Sequence, residues 1–284
     1  MSLVLKTPCK VNLLLNILCR REDGFHELET IIQPVPLYDE LRIEKDGNGI
    51  ELTCSDACLP VGEDNLVYRA AAAYLGAIEQ GGVRIHLQKN LPIAAGIGAG
   101  SGNAAFTLRG LNELFDHPLD EGQLQTMAAA LGSDVPFYLQ DGPALGSGRG
   151  ELVESAEPFP VLTGKGLLLI YPDFGVSTQW AYQALGGMPE PYGESGQMEL
   201  MVQNLRSGEL NGFYNSLEEP VFQKYVILPV LKQFLLDEGA LVALMSGSGS
   251  TTFAITGDRA AAEVLRVKYH ERFGQGGWSA SVEL

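Results

Sequence analysis

The chain has 284 residues, of which 45% are hydrophobic and 19% are charged, values typical of a protein that folds around a sizeable core. Acidic residues outnumber basic residues by 35 to 19, and the net charge of −16 argues against nucleic acid, an anionic membrane or another polyanion as a surface-bound partner. The composition still allows a small anionic ligand in a local pocket. The length predicts about two domains, or one domain with two lobes.

No apolar run approaches the roughly 18 to 20 residues of a membrane-spanning helix, and the first residues lack the apolar core and cleavage site of a signal peptide. The cysteines all lie near the start of the chain: Cys9, Cys19, Cys54 and Cys58. Their spacing is typical of free thiols, whereas a metal clip formed by Cys54 and Cys58 is a less favoured alternative because the histidines are scattered. We therefore expect a cytoplasmic protein with no membrane partner.

The first third of the chain is predicted to consist mostly of strands. An apolar run over 11–18 has the length of a strand, and the segments 41–44 and 50–54 flank a turn-rich spacer, which predicts a hairpin. A helix is expected after Asn65. The alternation of apolar and polar residues over 83–88 indicates a half-buried strand.

The middle of the chain contains the predicted lobe boundary. A glycine-rich loop over 94–102 leads into a predicted amphipathic helix over 103–115. Residues 141–165 are rich in glycine, proline and serine and show no clear period. We therefore divide the chain into an N-terminal lobe, residues 1–152, and a C-terminal lobe, residues 153–284.

The C-terminal lobe is predicted to mix strands and helices as well. The predicted strands are 167–171, 241–245, 252–256 and 278–283, and the predicted helices are 178–185, 198–206, 217–237 and 258–273. Because both halves combine the two kinds of element, the fold class is α+β with two layered lobes.

The glycine-rich loop has the pattern of a phosphate-binding site. Its alternating glycines are Gly96, Gly98, Gly100 and Gly102. Without Cβ atoms, such a loop can turn backbone N–H groups toward one point, and the following helix adds free N–H groups and a positive dipole end. Ser101 can add a hydroxyl to a phosphate or to Mg²⁺. The alternative is a flexible turn in which Ser101 or Asn103 is the helix N-cap.

The common nucleotide and hydrolase motifs are absent from the sequence. Neither G-x-x-x-x-G-K-[ST], nor a strict G-x-G-x-x-G after a strand, nor G-x-S-x-G occurs. A second glycine loop, residues 245–252, is expected between two C-terminal strands. Alone it has the pattern of a hairpin turn, but together with the first loop it suggests a second backbone surface facing the same phosphates.

Two charged residues in apolar surroundings are candidates for catalysis. Lys10 lies at the start of an apolar strand, where a lysine is more often an edge residue that extends to solvent. Asp134 follows the end of a helix and can cap the next short segment instead. An aspartate at such a turn can also act as a base when a substrate hydroxyl comes within hydrogen-bond reach.

In this order, these segments resemble the GHMP small-molecule kinases over nearly the whole chain. The matching segments are Cys9-Lys-Val-Asn-Leu-Leu-Leu15, Asp23-Gly-Phe-His-Glu27, residues 92–105, Leu131-Gly-Ser-Asp-Val-Pro-Phe137 and Ser246-Gly-Ser-Gly-Ser-Thr251. The Lys-x-Asn and Asp-Gly-Phe-His pair resembles the branch of the family whose substrate is a cytidine-diphosphate-linked polyol of isoprenoid precursor synthesis. The resemblance implies a two-lobed fold with an N-terminal ATP-binding lobe and a C-terminal ferredoxin-like substrate lobe.

The resemblance also implies roles for individual residues. Asp134 would accept the proton of the tertiary 2-hydroxyl that takes the γ-phosphoryl group of ATP, and Lys10 would orient both groups and offset negative charge. The implied ATP site consists of Asn65, Lys89, Pro92, Gly96, Gly98, Gly100, Ser101, Gly102 and Asn103, with Mg²⁺ near Ser101. The implied substrate site consists of Asn12, Phe25, His26, Thr178 and Tyr182. His26 would contact the edge of the cytosine, and the rings of Phe25 and Tyr182 would lie on the two faces of the cytosine.

In the usual family pattern the loop reads Gly-Leu-Gly-Gly-Gly-Ser-Ser-Asp/Asn-Ala-Ala and two glycines lie upstream of it, and this chain departs from that pattern. Gly102 replaces the second serine, and Ala94 and Ala95 replace two glycines. The lost hydroxyl puts metal coordination in question but leaves the backbone donors. The alternatives are a family kinase acting on homoserine, mevalonate or a sugar, or a nucleotide sensor without activity. We expect a monomer or a homodimer.

Overall fold

The computed structural model describes residues 2–47, 49–79 and 81–284. In chain order the elements are β1 (Ser2–Arg20), β2 (His26–Lys45), β3 (Gly49–Cys54), α1 (Leu66–Ile78), β4 (Gly82–Gln88), α2 (Ala99–Leu114), α3 (Glu121–Leu131), β5 (Ala144–Ser147), β6 (Leu152–Ser155), β7 (Gly166–Tyr171), α4 (Thr178–Leu185), α5 (Gln197–Ser207), β8 (Tyr214–Asn215), α6 (Glu218–Lys224), α7 (Ile227–Asp237), β9 (Val242–Met245), β10 (Thr252–Thr256), α8 (Arg259–Phe273) and β11 (Trp278–Glu283). Short 3-10 helices cover Pro136–Leu139 and Pro160–Leu162. The α+β class is confirmed.

The first sheet is built on the long antiparallel pair β1 and β2. Their register runs from Ser2 opposite Glu44 to Arg20 opposite His26, and it shifts at several points, one of them after Pro8. Proline has no N–H to donate to a neighbouring strand. After this shift, the backbone N–H of Lys10 donates to the carbonyl of Ile97, 2.9 Å away, which ties β1 to the glycine loop.

Seven strands of the described chain form this sheet, in the order β3-β4-β2-β1-β8, with β5 on β2 and β6 on β5. The predicted hairpin over 41–54 is wrong, because β3 pairs in parallel with β4, and β4 lies between β3 and β2. A parallel pair needs a long crossover connection, and the segment that contains α1 supplies it. Asn48, in the predicted spacer, lies outside the described residues. The alternation predicted over 83–88 is confirmed, with Val83, Ile85 and Leu87 buried.

Helices α1, α2 and α3 pack together and, with the first sheet, enclose one hydrophobic core. Helix α2 begins at Ala99, before the predicted start at residue 103. Gly100 and Gly102 therefore lie in its first turn and not in the loop. Glycine has a low intrinsic helix propensity, and packing of this turn against β1 and the 3-10 helix overrides it.

The second sheet is antiparallel, four-stranded in the described chain and ordered β11-β7-β10-β9. Helices α7 and α8 share a hydrophobic core with it. The predicted single helix over 217–237 is instead two helices, α6 and α7, that separate at Tyr225. Pro229 lies in the first turn of α7, where proline is tolerated, whereas inside a continuous helix it would remove a backbone hydrogen bond.

The two halves of the chain are joined through β1. Strand β6 continues the first sheet to Ser155, and the second sheet begins at Gly166. Strand β8, from the C-terminal half, pairs in parallel with β1 at Leu14 and Leu15. The boundary between residues 152 and 153 remains a prediction, and sheet membership changes between 155 and 166. Among the described helices, none has the length and apolar character that a membrane span requires.

Candidate active site

A cleft of about 1180 Å³ is lined by residues of both halves of the chain. Its walls include the middle of β1 and β2, the glycine loop, the turn after α3, helix α4 and the second glycine loop. The predicted site residues that line it are Lys10, Asn12, Phe25, His26, Gly96, Gly98, Ser101, Asp134, Thr178 and Tyr182. The structure therefore brings the candidate catalytic and substrate residues into one cavity.

Lys10 and Asp134 meet in this cleft. The Lys10 side chain is 3% exposed, and its Nζ atom lies 3.3 Å from Oδ2 of Asp134, whose side chain is 43% exposed. Lys10 is therefore not an edge residue that extends to solvent. The following 3-10 helix begins after Val135 without a side-chain cap in the described chain, so the capping alternative for Asp134 is wrong. A half-exposed carboxylate thus faces the cleft beside a buried ammonium group.

Asn12 holds the ammonium group in place. Nζ of Lys10 donates to Oδ1 of Asn12 at 2.6 Å, and Nδ2 of Asn12 donates to the Thr30 hydroxyl at 2.9 Å. The Thr30 hydroxyl in turn donates to the carbonyl of Leu14 at 2.6 Å. Sequence reasoning missed Thr30, because its role depends on β2 lying opposite β1. A buried charge with this set of partners has one defined position.

The first glycine loop requires glycine at two positions for steric reasons. Gly96 has φ +80°, and a Cβ atom there would overlap the carbonyl oxygen of Ser246. Gly98 has φ +67°, and a Cβ atom there would lie 2.5 Å from the hydroxyl of Tyr138. L-residues with side chains rarely adopt such φ values. The loop is therefore a close backbone approach and not a flexible turn.

Gly98 is also the N-cap residue of α2, and no side chain caps this helix in the part of the chain that the structure describes. The alternative in which Ser101 or Asn103 is the N-cap is therefore wrong. The free N–H groups of the first turn and the positive end of the helix dipole form an anion site. Ser101 lies in this turn and lines the cleft.

The second glycine loop, between β9 and β10, packs against the first. The Ser246 hydroxyl donates to the carbonyl of Gly96 at 3.0 Å and accepts from the backbone N–H of Asn12 at 3.4 Å. The N–H of Thr251 donates to the carbonyl of Ala95 at 3.1 Å. The two loops are thus joined by backbone and hydroxyl contacts next to the residue that holds Lys10.

Asn215 positions the second loop, a role that the sequence analysis did not assign. Nδ2 of Asn215 donates to the carbonyls of Met245 at 2.7 Å and Gly247 at 2.8 Å, and Oδ1 accepts from the N–H of Leu217 at 2.9 Å. Glu218 accepts the N–H of Met245 at 2.9 Å. The Asn-x-x-Glu spacing is the sequence signal, but the loop that it binds is distant in the chain.

Aromatic side chains surround His26 at the other end of the site. The ring centroids of His26 and Tyr182 are 5.0 Å apart, with an interplanar angle of 43°. Phe25 is 51% exposed, and the guanidinium carbon of Arg149 lies 4.6 Å from its ring centroid. Burial, together with the charge of Arg20, lowers the pKa of His26 below its ordinary value of 6.5. The imidazole is therefore neutral at pH 7, with one donor and one acceptor nitrogen.

Several predicted ATP-site residues do not line this cleft. They are Asn65, Lys89, Pro92, Gly100, Gly102 and Asn103. Oδ1 of Asn65 caps α1 by accepting from the N–H of Val67 at 2.9 Å. Lys89 forms an ion pair with the buried Asp39, and Nδ2 of Asn103 donates to Oδ2 of Asp39 at 3.1 Å. The side chains of Asn65, Lys89 and Asn103 thus make contacts within the protein. The contact of all six residues with ATP remains a prediction.

The described residues provide no ready-made metal cluster. Among the described residues, no group of three or more His, Cys, Asp or Glu side chains is arranged to hold a metal ion. The four cysteines form no disulfide, and neither Cys54 nor Cys58 belongs to such a group among the described residues, so the structure gives no support to a metal clip formed by these two residues. A metal ion at this site would therefore be coordinated by the phosphates of a bound ligand as well as by Ser101.

With this geometry in place, comparison with known proteins assigns the class. A model described as the GHMP kinases N terminal domain matches residues 65–142, and one described as GHMP kinases C terminal matches residues 194–275. The chain belongs to the GHMP kinase family and is an ATP-dependent small-molecule kinase.

Relatives of one activity cover nearly the whole chain. A 4-diphosphocytidyl-2-C-methyl-D-erythritol kinase from Moorella thermoacetica is 40% identical over 269 residues, 93% of each chain, and one from Pelotomaculum thermopropionicum is 40% identical over 92% of this chain and 91% of its own. A crystal structure of 4-(cytidine 5'-diphospho)-2C-methyl-D-erythritol kinase has a TM-score of 0.82 at 35% identity and covers 98% of both chains. A homoserine kinase from Cytophaga hutchinsonii shares the fold, with a TM-score of 0.77 at 20% identity over 100% of this chain and 95% of its own.

Gly102 is buried in the first turn of α2, so restoring the serine of the family loop should destabilise this protein. A Cβ atom at position 102 would lie 2.9 Å from the carbonyl oxygen of Pro8 and 3.2 Å from the ring of Tyr138. We expect Gly102→Ser to lower the free energy of unfolding by about 1–3 kcal/mol, the usual cost of overpacking. Urea unfolding measures it. Gly100→Ser is the matched control, since a Cβ atom there lies 3.8 Å from Leu66, and equal losses in both variants would contradict the prediction.

Proposed function

We propose that the protein transfers the γ-phosphoryl group of ATP to the 2-hydroxyl of 4-diphosphocytidyl-2-C-methyl-D-erythritol, a step of non-mevalonate isoprenoid precursor synthesis. The observation that carries the proposal is that the Lys10–Asp134 pair and the His26–Tyr182 pair line the same cleft. A substrate that carries a nucleobase at one end and a hydroxyl at the other requires both pairs. The 40% identity to kinases of this name over 93% of the chain supports it.

The catalytic pair has complementary tasks in this reaction. The half-exposed carboxylate of Asp134 accepts the proton of the attacking hydroxyl. Lys10, held by Asn12, keeps a positive charge beside the oxygen atoms that become negative. Phosphoryl transfer depends mainly on positioning and charge stabilisation, which a buried ammonium group held by Asn12 and Asp134 provides.

The glycine loop fits a polyphosphate. Gly96 and Gly98 have no space for a Cβ atom and so permit the close backbone approach of the loop, and the first turn of α2 supplies N–H donors without a competing side-chain cap in the described chain. The hydroxyl of Ser101 is a further ligand for a phosphate or for Mg²⁺. When bound, ATP and Mg²⁺ supply the phosphoryl group and neutralise its charge. Lys89 is a further predicted cation of the ATP site, and its ion pair with Asp39 orients it.

The substrate is tested by a coupled assay of ADP release with three acceptors: the cytidine diphosphate substrate, homoserine and mevalonate. We expect turnover with the first acceptor alone, because a small hydroxy acid or polyol makes no use of the ring pair at His26 and Tyr182. Turnover of homoserine or mevalonate without turnover of the cytidine diphosphate substrate would overturn the proposal. Absence of turnover with all three, with ATP still bound, would favour a nucleotide sensor.

Asp134→Asn is expected to lower kcat by about a thousandfold, within the usual range for a lost general base, because the amide accepts no proton. The affinity for ATP should stay within about threefold, since phosphate binding is assigned to the glycine loop and not to this carboxylate. Steady-state kinetics and ATP titration measure the two effects. Asp141→Asn is the matched control, because the Asp141 side chain is 88% exposed. A wild-type kcat in Asp134→Asn would remove Asp134 as the base.

Substrate binding should weaken at acid pH through His26. Since the pKa of His26 lies below 6.5, the imidazole is neutral at pH 7 and gains a proton only as the pH falls past that lowered value. The protonated ring has no acceptor nitrogen, so we expect the KM for the cytidine diphosphate substrate to rise between pH 7 and pH 5 at saturating ATP. His26→Gln should abolish this dependence, and His86→Gln, at an exposed position of β4, should retain it. The same KM for the wild type across this range would contradict the assignment.

A further inference from the structure

The connection between α4 and α5 forms part of the cleft wall next to His26. Its Tyr192 lines the cleft, and the ring centroids of Tyr192 and His26 are 6.1 Å apart, with an interplanar angle of 51°. Tyr182 approaches the same imidazole from α4. His26 therefore has two tyrosine neighbours, and one of them belongs to a segment without regular secondary structure.

This connection, residues 186–196, cannot determine its own position. It contains glycine and proline at many positions and has no strand ladder or helix to order it. Its order comes from β1. The N–H of Gly193 donates to the carbonyl of Ile17 at 2.9 Å, and Nδ2 of Asn16 donates to the carbonyl of Glu194 at 2.8 Å. A Cβ atom at Gly193 would overlap Oδ1 of Asn16, so the connection and β1 are in close contact.

Glu29 of β2 supplies further hydrogen bonds, in addition to the hydrophobic packing of Met188 and Tyr192. Glu29 is only 7% exposed. Oε1 accepts from the Ser195 hydroxyl at 2.9 Å and from the N–H of Gly196 at 2.8 Å. Oε2 accepts from the N–H of Met198 and from Nδ2 of Asn16, both at 3.3 Å. Two of these donors belong to the start of α5, where a negative charge is favoured by the free N–H groups and the helix dipole.

The ionised state of Glu29 suits this task. Burial by itself would raise the pKa of the carboxyl group, but the donated hydrogen bonds outweigh burial and hold the pKa below its ordinary value of 4.5. A carboxylate that is ionised at neutral pH offers only acceptors, and it meets four donors.

We propose that Glu29 is a positioning residue for the nucleobase end of the cleft: it clamps the α4–α5 connection onto β1 and β2 and so holds the Tyr192 ring beside His26. This role rests on the proposed function, because a ring at this place serves a substrate that carries a base. None of the bonds that Glu29 accepts in the described chain comes from Lys10 or Asp134. The clamp therefore acts on binding of the cytidine part and not on phosphoryl transfer.

Two substitutions of graded severity test the clamp. Glu29→Met keeps the length of the side chain but removes both acceptors, whereas Glu29→Gln keeps one acceptor oxygen. We expect the KM for the cytidine diphosphate substrate and the inhibition constant of CDP to rise about tenfold in Glu29→Met and about two- to threefold in Glu29→Gln, with kcat and the KM for ATP within about twofold of the wild type. Glu40→Gln and Glu40→Met, further along the same strand, are the matched controls.

A double-mutant cycle tests whether Glu29 acts through Tyr192. Tyr192→Ala should raise the inhibition constant of CDP to a similar extent, and Tyr192→Phe should not, because the proposed contact is made by the ring, whose centroid lies 6.1 Å from that of His26. Glu29→Met combined with Tyr192→Ala should be no worse than either variant alone, since both remove the same contact. Additive effects of the two substitutions would overturn the proposal.

Hydrogen exchange covers the case in which Glu29→Met does not fold. In Glu29→Gln, the amides of Gly196 and Met198 should exchange faster than in the wild type, and unchanged exchange together with an unchanged KM would overturn the clamp. A loss of kcat and of ATP affinity in parallel with CDP affinity would also overturn it, because the effect would then be a general loss of structure. If the wild type neither binds CDP nor turns over the cytidine diphosphate substrate, the proposed function itself fails, so the two failures are distinguishable.

Discussion

The buried ammonium group of Lys10 is the interaction on which the cleft depends. A charge on a side chain only 3% exposed is stable only when polar partners replace water, and these are Asn12 at 2.6 Å and Asp134 at 3.3 Å. Strand β1 must therefore lie against the turn after α3, and its backbone must meet the glycine loop at Ile97. The position of the charge thus requires three separate segments of the chain to converge.

The second lobe is attached to the same strand. Strand β8 pairs with β1, and Asn215 at its end binds the carbonyls of the second glycine loop. Ser246 of that loop then contacts the backbone of both Asn12 and Gly96. The two glycine loops approach so closely that Gly96 has no space for a side chain. The position of the Lys10 charge, the backbone of the two glycine loops and the arrangement of the two lobes are therefore consequences of one set of contacts.

The net charge of −16 is compatible with anionic ligands because the donors are local. The cleft contains Lys10, Arg20 and Arg149, together with the backbone N–H groups at the start of α2. At physiological ionic strength, charges beyond about 8 Å are largely screened, so the groups that line the cleft outweigh the distant acidic surface. The excess of glycine has a local meaning too, since Gly96 and Gly98 allow the backbone to provide donors that side chains would block.

Much of the fold and the outline of the site could be predicted from residue patterns. Period-two alternation found β4, and small residues before a helix found the loop at Gly96 and Gly98. The resemblance to a known family added the pairing of Lys10 with Asp134, which no local pattern contains. The structural contacts of Lys89 and Asn103 could not be predicted, because both depend on the buried Asp39 of another strand.

The sequence by itself determined the local elements, the turn chemistry and the residue types available for catalysis, because these follow from neighbours within a few residues. Only the tertiary structure decided that β3 pairs with β4, that α2 begins at Ala99, and that Glu29 and Asn215 hold distant loops. Strand partners and buried hydrogen bonds join residues far apart in the chain, and many partners are locally equivalent. Burial selects among them, because an unpaired polar group costs free energy inside the folded protein that it does not cost in the extended chain.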